Sequence, residues 1–168
     1  MAWLLLMVLI GFLAIVFSWV RKVLLVFSGS RLRRLCGAML FVANVFVALT
    51  AVLGGITVAT GVDKFPADWL TGTLFRSYLI PGLILSVVVG GSATVAAIAT
   101  VRNRGSGVLS SLLAGAILVG WLIGERLILS PAAFPPQLWW LEAIYVAAGL
   151  MMVVPAVVVR WSEGSGRP

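Results

Sequence analysis

Long apolar stretches separated by short polar breaks make up this chain, and each stretch has the length of a helix rather than a strand. The apolar runs fall near residues 1–20, 35–60, 77–101, 108–129 and 138–159. Each meets the ~20 residues that ~30 Å of hydrocarbon requires at a rise of ~1.5 Å per residue. Runs apolar on every side predict membrane-spanning helices, because a helix satisfies its own backbone where water is absent. The expected fold is all-α: a transmembrane helical bundle of four spans plus an N-terminal fifth helix.

The breaks sharpen this outline. Residues 1–20 precede Arg21-Lys22 and carry no positive charge before them, the reverse of a secretory signal. They read as an anchor helix entering from outside, either crossing the bilayer or lying partly at its interface. The second run ends at Gly61, and residues 61–76 form the longest polar connection, with Pro66 and Asp68 typical of turns. Pro81 falls in the first turn of the next span, where a missing N–H does little harm. Arg102 to Gly107 is a tight basic turn, and Ser130-Pro131 with Phe134-Pro135-Pro136 breaks the chain before the last span. The organisation is therefore an anchor helix and basic segment over 1–34, a four-helix core over 35–160, and a short tail over 161–168.

Charge adds orientation. Residues 21–34 hold five Lys/Arg, 102–107 two Arg and 160–168 two Arg, whereas 61–76 is neutral overall and 130–137 uncharged. Under the positive-inside rule every short loop votes alike, placing the C-terminus in the cytoplasm of a bacterial inner-membrane protein. Trp69, Trp139 and Trp140 at the outer level and Trp19 and Trp161 at the inner level fit aromatic belts. The net charge of +7 belongs to these flanks and to anionic-lipid contact rather than to nucleic acid.

Composition then limits the chemistry. The chain is 62% hydrophobic and 10% charged, has no His and has one Cys. No His-ligated haem, His/Cys zinc site or Cys-pair redox cycle is available, so no cofactor or metal is expected. Cys36 reads as an inert small residue. Only Lys22 and Lys64 could serve a Ser/Thr nucleophile and both flank helices, so catalysis has little support.

Ionisable groups inside membrane helices are costly unless paired or wetted, which singles out Glu125, Arg126 and Glu142. They lie about one helical turn from the outer ends of the last two spans, with Arg76 above the span before them. Three readings stay open: a structural ion cluster, a polar site for a headgroup, ligand or partner helix, and a proton or cation site for transport. Small residues give the expected helix contacts: Ser86, Gly90 and Thr94 on one span, Ala116, Gly120 and Gly124 on the next, and Ala143 and Ala147 on the last. Asn44 is expected to make an interhelical hydrogen bond.

The run Leu70-Thr71-Gly72-Thr73-Leu74-Phe75-Arg76-Ser77-Tyr78-Leu79-Ile80-Pro81-Gly82-Leu83 and the later Trp121-Leu122-Ile123-Gly124-Glu125 resemble a group of small, uncharacterised four-helix membrane proteins of actinobacteria and other high-GC bacteria. The resemblance covers residues 40–155. It implies that the four-helix unit is the core and that residues 1–34 are an addition, and it brings no activity with it. The function expected is that of an accessory or interaction protein bound to other membrane subunits or to itself. A small oligomeric transporter and a lipid-binding or lipid-modifying protein are the alternatives.

Overall fold

Four of the five apolar runs become helices that supply their own backbone partners, and a computed structural model describes the chain over residues 31–62, 70, 75, 77–128 and 139–164, together with Ser18. The expected N-terminal helix lies outside the described residues. The helices are α1 (Arg31–Thr60), α2 (Leu79–Leu83), a π-helix π1 (Ile84–Gly90), α3 (Gly91–Arg102), α4 (Arg104–Ile128) and α5 (Trp139–Gly164). α2, π1 and α3 run on as one span, so four helical rods of 22 to 30 residues are each long and apolar enough to cross a membrane. The shortest is about 33 Å long, matching a hydrocarbon core of ~30 Å.

The boundaries have local causes. α1 begins at Arg31 rather than at residue 35, so the basic run is its first turn. It stops at Gly61, whose φ of +70° no β-carbon tolerates well. The Gly61 N–H donates to the Val58 carbonyl and the Val62 N–H to the Thr57 carbonyl, a Schellman closure that satisfies two final carbonyls. Between α3 and α4 the turn is narrower than the sequence suggests, for only Asn103 leaves the helix, at φ −151° and ψ 131°. Its Oδ1 accepts from the N–H groups of Gly105 at 2.8 Å and Ser106 at 3.3 Å, capping α4. Asn103→Ala is expected to lower unfolding stability by about 1 kcal/mol. Asn103→Asp should be near neutral, both read by thermal denaturation in detergent.

The rods form a closed antiparallel ring in chain order. α1 packs on the α2–π1–α3 span, that span on α4, α4 on α5, and α5 back on α1. One apolar cluster fills the middle, built from Ala43, Val47, Ala51, Val89, Ala93, Ala96, Ala114, Leu118, Ala148 and Met152. A second, of Cys36, Leu40, Phe41, Ala97, Val108, Ala156 and Val159, closes the end where Arg31, Arg33, Arg34, Arg102, Arg104 and Arg160 gather. The Cys36 thiol is free and buried there. Outward positions are equally apolar, with Leu53, Val87, Val95, Leu113, Leu150 and Val154 all more than half exposed. A surface of that kind is solvated by lipid rather than water. Trp140 and Trp161 stand exposed at opposite ends of α5, as interfacial anchors do.

Since lipid exerts no hydrophobic pressure between apolar helices, close backbone approach has to supply the packing. It does so at glycines. A β-carbon on Gly55 would lie 2.5 Å from the Gly82 carbonyl oxygen and 2.6 Å from the Ser86 nitrogen, and one on Gly90 would lie 2.6 Å from Val52. A β-carbon on Gly107 would lie 2.5 Å from the Thr100 Cα, and one on Gly115 would lie 2.8 Å from Val153.

Candidate functional site

Polar side chains gather at two levels of the bundle. At the end opposite the arginines, α4 finishes and α5 begins side by side. Arg126 is in the last turn of α4 and Glu142 in the first turn of α5, so antiparallel packing brings them level. The guanidinium grips the carboxylate with two parallel bonds: Nε donates to Oε1 at 2.7 Å, and Nη2 donates to Oε2. Such a fork fixes orientation as well as distance. Both side chains keep contact with the outside, 42% exposed for Arg126 and 30% for Glu142, so their polar heads can reach towards the interface.

Glu125 is next in sequence but turned elsewhere. It stands eighteen residues, or five turns at ~3.6 residues each, beyond Gly107, so it shares the direction around α4 of the glycine that packs on Thr100 at the other end. Among the described residues no hydrogen bond or ion pair engages its carboxylate. The three groups therefore divide into a forked pair joining α4 to α5 and a carboxylate about 100° away around α4. Arg76, expected to join them, lies outside the described residues. No group of three or more His, Cys, Asp or Glu able to hold a metal occurs among the described residues.

The second level lies nearer the arginine-rich end, where α1, α3 and α4 meet. Asn44 is fully buried and donates from Nδ2 to the Leu40 carbonyl at 2.7 Å and to Ser111 Oγ at 2.8 Å. The expected interhelical bond of Asn44 thus exists. Ser111 Oγ stands 3.5 Å from Thr100 Oγ1, which donates to the Ala96 carbonyl at 2.7 Å. Ser111 and Thr100 were not singled out by the sequence. Ser and Thr recur along α1, the second span and the start of α4, and most close on their own helix, as Ser110 does on the Ser106 carbonyl.

The small residues divide in an unexpected way. Gly90 is buried against Val52 on α1, and Ser86 meets Gly55, so that row is a seam as expected. Thr94 in the same row is exposed and bonds its own helix at the Gly90 carbonyl. The row Ala116, Gly120, Gly124 is the reverse of the expectation: Ala116 and Gly120 are exposed, and nothing lies within 4 Å of a β-carbon built on Gly120 or Gly124. Ala143 and Ala147 on α5 are exposed too. The inward row of α4 is Gly107, Ser111 and Gly115, also spaced by four. Either row satisfies the spacing, and only the direction of the helix in the ring separates them.

Between the two polar levels the bundle is closed by Val47, Ala51, Val89, Leu118 and Met152, all at most 1% exposed. Comparison with protein-family models, with curated proteins and with solved structures gives no match.

Proposed function

We propose that the protein is a small accessory subunit of the bacterial inner membrane, without catalytic activity of its own, that holds another membrane subunit or a second copy of itself. One observation carries the reading. The small-residue rows of α1 and the second span are consumed inside the bundle, whereas Ala116–Gly120–Gly124 on α4 and Ala143–Ala147 on α5 look outward. Backbone-exposing rows of this kind admit a neighbouring helix closely, which bulkier residues facing lipid would prevent.

The test is co-purification. The full chain, tagged at its C-terminus, is extracted in mild detergent and its near-stoichiometric partners are identified by mass spectrometry. The double variant Ala116→Leu/Gly120→Leu is expected to keep the melting temperature and helicity of the parent and to lose the partner. Retention of the partner would move the contact elsewhere, and a wild-type chain that emerges alone and monomeric would refute the reading.

Orientation follows from charge. Six of the seven arginines of the described helices lie at one end of the ring, Arg126 being the exception paired with Glu142 at the other, and the positive-inside rule puts the arginine-rich end in the cytoplasm. A reporter fused after Arg160 is expected to read as cytoplasmic, and a periplasmic signal would reverse the assignment.

A second reading, transport by an oligomer, draws on Glu125, a carboxylate within a span that no described ion pair engages. It predicts a clean homo-oligomer in which Glu125→Gln stays folded but loses flux in liposomes, and unchanged flux would sink it. The apolar layer between the polar levels weighs against a path through one copy.

A further inference from the structure

The junction of α1, α3 and α4 can be audited donor by donor. A carboxamide has two N–H donors and one oxygen with two lone pairs. In Asn44 both donors are committed, to the Leu40 carbonyl and to Ser111 Oγ. The Leu40 carbonyl only accepts, so the amide cannot be turned over without losing that bond. Asn44 Oδ1 is then left fully buried with no hydrogen-bond partner among the described residues.

A second shortfall adjoins it. Thr100 spends its O–H on the Ala96 carbonyl, so its oxygen is the acceptor on offer to the Ser111 O–H, and that separation is 3.5 Å. Hydroxyl hydrogen bonds normally close to within ~3.0 Å, so the Ser111 donor is loosely held. An acceptor without a donor thus stands next to a donor without a close acceptor.

We propose that this junction binds one buried water molecule, which accepts from the Ser111 hydroxyl and donates to Asn44 Oδ1 and to Thr100 Oγ1. The distances allow it. The nitrogen and oxygen of one carboxamide are about 2.2 Å apart, so Oδ1 is at most about 5 Å from the Ser111 Oγ that Nδ2 reaches at 2.8 Å. A water at ~2.8 Å from each spans up to ~5.6 Å. Three partners also match the usual complement of a buried water.

Other occupants fit less well. A cation would meet an N–H dipole of Asn44 within the same cluster, and no Asp or Glu lies in the parts of the three helices that form it. An uncompensated charge in that position is far costlier than a neutral donor. A lipid or partner group has no access to side chains that are 0% exposed. The inference is independent of the accessory-subunit reading, which concerns the outward faces of α4 and α5.

A map of the full chain in a lipid nanodisc, at a resolution that shows ordered water, tests it. The expected result is a peak within hydrogen-bond distance of both Asn44 Oδ1 and Ser111 Oγ. An ordered Asn44 without such a peak, or with Oδ1 moved onto a protein donor, would overturn the proposal. Infrared spectroscopy gives a second measurement. Asn44 and Asn103 are the chain's two asparagines, so in Asn103→Asp a 13C-labelled carboxamide reports Asn44 alone. A stretch at the lowered frequency of a hydrogen-bonded carbonyl is expected, and one at the position of a free carbonyl would overturn the proposal.

Discussion

Gly55→Ala is expected to destabilise the bundle by at least the ~1–3 kcal/mol typical of an overpacked core, and Gly55→Leu to prevent its assembly. The added β-carbon meets backbone on the opposing helix: the Gly82 carbonyl oxygen at 2.5 Å and the Ser86 nitrogen at 2.6 Å. Backbone cannot swing aside as a side chain does, so α1 and the second span must separate. The reciprocal contact is equally tight, since a β-carbon on Gly82 would lie 2.6 Å from both the Ala59 nitrogen and the Gly55 oxygen. Gly54 supplies the control. Nothing lies within 4 Å of a β-carbon there, so Gly54→Ala should be neutral or raise stability by up to ~1 kcal/mol through helix propensity. Thermal unfolding of both variants in one detergent decides the matter. Equal stabilities would mean that the glycine contact does not hold the helices together.

The next largest effect is expected at the fork between α4 and α5. Arg126→Leu leaves Glu142 without its partner at the edge of the hydrocarbon, and Glu142→Leu does the same to Arg126. An unpaired charge in that position is worse than no charge, so both single variants should melt below the parent. The double variant Arg126→Leu/Glu142→Leu should recover much of the loss. Exchanging the two residues should recover part of it, since attraction is restored but the forked geometry is not. A double variant that melts as low as the sum of the two singles would show that each side chain acts alone. Raised salt should change little if the pair is shielded by lipid and a great deal if it stands in water.

The four described spans can be read from the chain because they depend on length and composition. Apolar run length marks the four rods, Gly61 marks the end of α1, and the basic Arg102–Arg104 segment marks the turn into α4. The depth match of Arg126 and Glu142 is legible for the same reason, since two antiparallel spans of known ends fix which residues are level. Rotation about each rod is less legible. In water a polar face announces which side of a helix is outside, but in lipid both sides are apolar and that signal vanishes. So α4 carries two rows of small residues at the same spacing, Gly107–Ser111–Gly115 and Ala116–Gly120–Gly124, and nothing in their composition tells the buried one from the exposed one. Ser111 is illegible in the sequence for that reason, because its importance comes from facing Asn44 across sixty-seven positions of chain. Glu125 and Arg126 are adjacent in the chain, yet the step of about 100° between successive helical residues points them in different directions.

The π-helical segment Ile84–Gly90 has a consequence for how insertions and deletions act on this protein. A four-residue step along an α-helix overshoots a full turn by about 40°, so Gly82, Ser86 and Gly90 would drift off a straight seam if the whole span were α-helical. The i→i+5 winding of the π-helix turns less per residue and reduces that drift, keeping all three against α1. The number of residues between Leu83 and Gly91 therefore sets the phase between two half-helices. Removing one residue there and rewinding the span as α-helix would keep Leu79–Leu83 nearly in phase with Gly91–Arg102, because a π-helical segment is in effect an α-helix carrying one added residue, whereas a further added residue would turn Gly82 away from Gly55. Single-residue insertions between 84 and 90 should therefore be far more damaging than substitutions at exposed positions of the same segment, such as Val87 and Val88, or than a single-residue deletion there.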